Sequence, residues 1–269
     1  MFFFAESIAM KKYLLFVPIA VLLGSCATPK IALQGDGFTE LPVKGRNGFF
    51  IKQKLSFGDY KTTSVKRSWT KGSSSRTGLS IGNPADPGYE NIISMEYTKR
   101  KQTVNFGLTD GTYNSEVRCV TKFSNEELIV GNNENSLPNI IIDLIRGNRS
   151  TNTFYVQVFT NNETKPWHLL LDNNAVQQDA KTYVGKLALD DNNYYSVVPV
   201  NKMLNKNGEA ASILFGSIGL DIRNKENKSV ATVSFLNNGK VYLNSTDKKE
   251  AFLLSNVCAA LLLQQQIEN

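Results

Sequence analysis

Histidine and cysteine are nearly missing from this chain, with one His and three Cys among 269 residues. Zinc sites gather three or four close His, Cys or acidic ligands. His168, in Pro166-Trp167-His168-Leu169-Leu170, has no such neighbours in sequence. As a catalytic base it would need a nucleophile and an orienting group, and no Gly-x-Ser-x-Gly elbow occurs. The pairs Glu126-Glu127 and Asp190-Asp191 sit in turn-like sequence and read as solvated turns rather than glycosidase carboxylates. No phosphate-binding glycine loop is found, and residues 221–228 lack the spacing and terminal Glu of a Ca²⁺ loop. A non-enzyme with no metal and no cofactor is therefore expected. Three Cys are too few for a disulfide scaffold. With 41% apolar and 20% charged residues the chain is no disordered segment either. Its length suits one domain or at most two.

What is present begins with an address. Met10-Lys11-Lys12 forms a cationic start, followed by the apolar run Leu14 to Leu23. A run this short does not reach the ~20 residues that span a bilayer, and it fits a signal peptide. It ends in Leu23-Gly24-Ser25-Cys26, which resembles the lipobox of bacterial lipoproteins. The resemblance implies cleavage before Cys26, a diacylglycerol thioether on its sulfur and an acylated amine (palmitate-type chains). Several acyl chains, at about 0.8 kcal/mol per buried CH₂, make a durable membrane anchor. Ala27 follows, not Asp, which by the same resemblance implies the periplasmic face of the outer membrane. Met1 to Ala9 carries Glu6 ahead of the Lys pair, so Met10 reads as the better start than Met1. The expected organisation is a signal peptide over 1–25, a lipidated Cys and tether over 26–42, and one β-rich domain over 43–269. Pro29, Gly35, Asp36, Gly37 and Pro42 are the breakers that suggest the tether.

Beyond it, period-2 alternation dominates. Phe49, Ile51, Leu55 and Phe57 alternate with polar residues, as do Val65, Arg67 and Trp69, then Val104, Phe106 and Leu108, then Val117, Cys119 and Phe123. This pattern marks half-buried strands. Further strands read over 153–160, 167–172, 182–189, 194–200, 213–223, 230–236 and 240–244. Asp110-Gly111, Asn207-Gly208 and Asn238-Gly239 supply hairpin turns. The segment 140–145 reads equally as strand or helix. About twelve strands in short-turn succession predict an antiparallel barrel or a sandwich.

The ending differs. Asp247 and Glu250 predict a helix start with Asp as N-cap and Glu at N3, opening a helix over 247–265. Within Ala251 to Leu263 only Ser255 and Asn256 are polar. A helix apolar on every side must be buried on every side, so the expected solution is a helix lying inside the barrel. The alternative is a β-sandwich with the helix at an interface. The run Gly219-Leu220-Asp221-Ile222-Arg223-Asn224-Lys225-Glu226-Asn227-Lys228-Ser229-Val230-Ala231-Thr232-Val233, then Gly239 to Leu243 and the apolar helix, resembles the Tubby C-terminal-like superfamily, which includes the phospholipid scramblases. The resemblance covers about the last 50 residues. It implies a barrel around a central helix and association with membrane lipid, and it carries no residue-level site.

Charge is uneven. Lys44, Arg46, Lys52, Lys54, Lys61, Lys66, Arg67, Lys71 and Arg76 face only Asp59 between residues 44 and 76, a local +8 in a chain of net +6. Lys99-Arg100-Lys101 reads as a further basic turn. Lys52, Lys54, Lys66 and Arg67 are the candidate contacts for anionic lipid or envelope polysaccharide, each worth about 1 kcal/mol near an anionic surface. The plainer reading is a solvated, Lys-rich strand face that resists edge pairing. An envelope protein partner is the other expectation, and nucleic acid is not expected. Cys119 and Cys258 are either two buried thiols or, in an oxidising compartment, a disulfide.

Overall fold

The computed structural model describes residues 29–46, 53–68, 71–73, 79–81, 90–95, 98–123, 128–130, 152–161, 163–177, 184–205, 207–213 and 216–264. The segment 140–145 lies outside them.

Twelve strands follow one another around an antiparallel, nearly closed barrel. They are β1 (Thr39–Pro42), β2 (Ser56–Phe57), β3 (Tyr60–Arg67), β4 (Thr98–Thr109), β5 (Asn114–Phe123), β6 (Asn152–Thr160), β7 (Trp167–Asp172), β8 (Gly185–Ala188), β9 (Tyr194–Val200), β10 (Gly219–Arg223), β11 (Ser229–Ser234) and β12 (Lys240–Leu243). From β2 to β12 each strand pairs with the next in sequence, and β1 pairs with β12. The remaining gap, between β1 and β2, is crossed by one bridge. Lys44 N–H donates to Ser56 O at 2.9 Å, and Ser56 N–H donates to Lys44 O at 3.0 Å. Closure of this kind removes the exposed edges that invite aggregation.

Alternation decides what faces inward. Val104, Phe106, Leu108, Val117, Cys119, Phe154, Val156, Val158, Leu169 and Leu171 share one core with the residues of the C-terminal helix. A bulge in β3 resets the parity there. Thr63 is opposite Gly107 and Lys66 is opposite Asn105, so three steps on β3 match two on β4. Ser64, at φ 48°, takes up the extra residue.

A one-turn helix, α1 (Asn173–Gln177), follows β7, and α2 (Lys248–Leu263) ends the described fold. Asp247 caps α2 as expected, its Oδ1 accepting from Lys249 N at 2.7 Å and Glu250 N at 3.2 Å. Glu250 does not close the box on Asp247. Its carboxylate accepts instead from Tyr195 Oη at 2.8 Å and Ser245 Oγ at 2.5 Å, which ties the helix start to β9. Every residue from Ala251 to Leu263 is buried, against β5, β6, β11 and β12. The polar pair is absorbed in part. Asn256 Nδ2 donates to Phe252 O at 2.8 Å, and its Oδ1 accepts from Ser115 Oγ at 2.5 Å. Gly239 makes room at the β11–β12 turn, where a Cβ would sit 2.7 Å from Leu262 Cδ2 and φ is +90°.

Three sequence readings are corrected. The described part of the expected tether belongs to the fold. Lys30–Ile31 pairs with Lys202–Leu204, Ile31 packs with Val200 and Tyr242 outside the barrel, and β1 itself falls within 26–42. Gly35 and Asp36 bend an ordered segment, whereas Pro42 lies in β1, and the segment's strands are held by pairing rather than by pattern. Of the strand read over 213–223 the described part that forms is β10, and Ala210–Ser212, just before that range, belongs to a small outer sheet. Lys99-Arg100-Lys101 is no turn, because it lies within β4, paired to β5.

Candidate functional site

The seam between β1 and β2 gathers positive charge. Leu55 and Phe57 point into the core, so Ser56 points out, and its two register partners are Lys44 on one side and Lys61 on the other. Lys54 arrives by close approach. A Cβ on Gly45 would lie 1.9 Å from Lys54 O at φ +82°, so only glycine lets these backbones meet. Lys44, Lys54, Lys61 and Lys66 are all exposed. Among the described residues none of the four has a carboxylate within ion-pair distance. Lys52 lies outside the described residues.

Arg67 is placed differently. Its register partner is Val104, an inward position. Its Nη2 donates to Leu263 O at 2.7 Å and its Nη1 to Gln102 Oε1 at 3.0 Å. A cation there satisfies an orphan carbonyl and meets the negative end of the helix dipole. Next to it, Gln264 Nε2 donates to Asn173 Oδ1 at 2.7 Å, and Asn173 Nδ2 donates to Asn152 Oδ1 at 2.9 Å. These groups close one mouth of the barrel, and Arg67 is spent in that closure rather than on the surface. Arg46 is likewise engaged, donating to Phe235 O at 3.2 Å and lying over the Phe235 ring.

The resemblance-bearing hairpin β10–β11 holds a buried carboxylate. Asp221 accepts from Arg223 Nε at 2.7 Å, from Thr232 Oγ1 at 2.9 Å and from Ser229 Oγ. Its oxygens are committed to pinning two strands, which accounts for acidic and hydroxyl residues in that run without a ligand. Asp190 makes an exposed turn by accepting from Asn192 N and Asn193 N; the hydrogen bond from the Asn193 side chain, more than the backbone ones, holds its carboxyl below the usual range. Glu126 and Glu127 lie outside the described residues.

His168 points outward from β7, and its Nδ1 lies 2.5 Å from Tyr155 Oη. Burial first, and Lys165 second, lower its pKa to about 4. The imidazole is thus neutral at physiological pH. Cys119 and Cys258 are buried free thiols in the common core, so the bridge between them is not formed. Among the described residues no group of His, Cys, Asp and Glu is arranged to hold a metal ion. No described helix is long and apolar enough to cross a membrane. A shallow pocket of about 350 Å³ opens outside the barrel between Ile31, Leu33, Leu204, Ala210 and Tyr242, with Lys30 and Glu40 at its rim.

Sequence reasoning missed the seam. Lys44 and Lys61 are 17 positions apart and become neighbours only through Ser56, and nothing in the local pattern reports that register. Comparison with known proteins adds no relative, since no family model, no curated protein and no solved structure matches this chain.

Proposed function

We propose that the chain is a non-enzymatic lipoprotein of the cell envelope, held by lipidated Cys26, whose barrel binds an anionic envelope component. The observation that carries this is the set of exposed lysines at the seam, Lys44, Lys54 and Lys61, with Lys66 further along the outer face of β3. The ligand class is lipid headgroups or charged polysaccharide, met by the outer face of β1 to β3. Lys52 joins the set by sequence proximity, and Arg67 is withdrawn from it because its guanidinium holds Leu263 O. A helix inside an antiparallel barrel supports kinship with the Tubby C-terminal-like superfamily, which itself favours the lipid reading. The periplasmic face of the outer membrane is the proposed address.

The test is co-sedimentation of the chain, with Cys26→Ser to remove the anchor, on vesicles with and without anionic lipid. Reversing Lys54, Lys61 and Lys66 to Glu is expected to abolish binding, and wild-type binding is expected to fall with salt. Equal binding to neutral vesicles, or none to either, would defeat the lipid form of the proposal. Binding to a charged polysaccharide by the same variants then decides its other form. The address rests on Cys26 alone, and a Cys26→Ser protein that still takes up labelled fatty acid would refute it.

A further inference from the structure

A polar row crosses the outside of the barrel on β4 to β7, beginning beside Lys66, the register partner of Asn105 on β3. Asn105 on β4 is the register partner of Arg118 on β5, Arg118 that of Gln157 on β6, and Gln157 that of His168 on β7. The neighbours on each strand, such as Val104, Val117, Val156 and Leu169, point into the core. Three adjacent members of this row each leave one buried polar atom without a hydrogen-bond partner, namely Asn105 Oδ1, Arg118 Nη1 and Gln157 Oε1. Such atoms are rare in folded proteins and call for an explanation. Gln157 is only 7% exposed. Its amide lies against the Tyr155 hydroxyl, which in turn meets His168, so its other end is the one left over. Arg118 gives Nε to Glu116 Oε1 at 2.7 Å and lays its guanidinium 4.8 Å above the Phe159 ring.

The order across the three strands is acceptor, donor, acceptor. Opposed residues in a sheet stand about 5 Å apart, so the three span about 10 Å. A phosphate or carboxylate would satisfy Arg118 alone and would meet two amide oxygens and the Glu116 carboxylate. A hydroxyl both donates and accepts, and adjacent hydroxyls on a sugar ring match the alternation. The Phe159 ring adds an apolar face of the kind a pyranose covers. We propose that this row is a subsite for a neutral glycan, whose hydroxyls accept from Arg118 and donate to Asn105 and Gln157. The part-exposed Arg118 guanidinium, lifted from Phe159, admits the sugar. The site lies beyond Lys66 on β3 and does not depend on anionic binding at Lys44, Lys54 and Lys61.

Calorimetric titration of the full chain with maltohexaose, cellohexaose and chitohexaose, with inositol hexakisphosphate as the anionic control, tests it. At least one neutral oligosaccharide is expected to bind. Gln157→Leu is expected to weaken that binding about two- to tenfold, the scale of one ordinary hydrogen bond. The same variant should raise the melting temperature of the free chain, because it removes an unpaired buried acceptor. Reversal of Lys44 and Lys54 to Glu should leave oligosaccharide binding unchanged. Should Gln157→Leu fail to fold, Asn105→Leu reads the same two quantities. Absence of binding across the three oligosaccharides overturns the proposal, as does binding of the anionic control alone. A lowered melting temperature in both variants overturns it too, since these oxygens would then be paired within the protein.

Discussion

Arg67 Nη2 reaches from β3 to the last turn of α2 and donates to Leu263 O at 2.7 Å. It therefore joins the first half of the barrel to the helix that fills it. Burial lowers the pKa of its guanidinium, yet the group remains a cation and a donor. Hydrogen bonds from charged groups contribute about 1.5–3 kcal/mol. Arg67→Met keeps most of the stem and removes the donors, so a loss of roughly that size is expected in urea unfolding. Lys54→Glu and Lys66→Glu should each change stability by less than about 0.5 kcal/mol, as exposed substitutions do. Equal effects from Arg67 and the lysines would contradict the inward placement of Arg67.

The helix interior makes a larger prediction. Leu261 is 2% exposed within the common core. Leu261→Ala should cost about 2–5 kcal/mol, the usual range for a buried leucine. Domain stability is typically about 5–15 kcal/mol, so removal of the chain from Asp247 onward should unfold the barrel. Circular dichroism during heating measures both. A cooperative melt of the shortened chain near the full-length temperature would mean that α2 is not the core.

Much of this architecture was legible because burial on one face writes a period into the sequence. The alternation of Val104, Phe106 and Leu108 marks β4, and the residues 167–172 and 194–200 match β7 and β9 end to end. The all-round apolar helix announced its own burial. Arg67 was also readable, since it shares parity with Val65 in the alternating pattern and so belongs to the inward face. Counting its charge with the lysines ignored that parity. β1 was missed because Thr-Glu-Leu-Pro has no periodicity to detect; its pairing with β12 alone holds it. The row from Asn105 to His168 was invisible for a different reason. Arg118 and Gln157 are 39 positions apart, and register over that distance is set by the barrel as a whole, so no local window contains it.

Chemical reactivity offers a direct reading of the core. Burial raises the pKa of Cys258 to about 12, and it raises that of Cys119 further, against a smaller lowering from Arg67. The thiolate is the reactive species, so both groups should resist iodoacetamide in the native state. Mass spectrometry should find them alkylated only after guanidinium unfolding. Rapid native labelling of Cys258 would place α2 outside the barrel. Non-reducing peptide mapping should likewise show no bridge between the two.

His168 carries the clearest pH dependence, because it is the only imidazole in the chain. Burial, with Lys165 as the lesser cause, lowers its pKa from 6.5 to about 4 in the folded state. In the unfolded chain the ordinary value near 6.5 returns. Between those two values the unfolded state holds a proton that the folded state lacks. Stability from this group is therefore full above about pH 6.5, falls as pH drops toward 4, and levels off below. The change over that window is at most roughly 3 kcal/mol. His168→Gln has no such titration and keeps a polar partner for Tyr155. The difference in unfolding free energy between wild type and His168→Gln should thus move in favour of the variant by that amount from pH 7 to pH 4. Carboxylates titrate in both proteins and cancel in the difference. NMR titration of the single imidazole should give a midpoint near 4, and a midpoint near 6.5 would mean that His168 is solvated and its contact with Tyr155 absent.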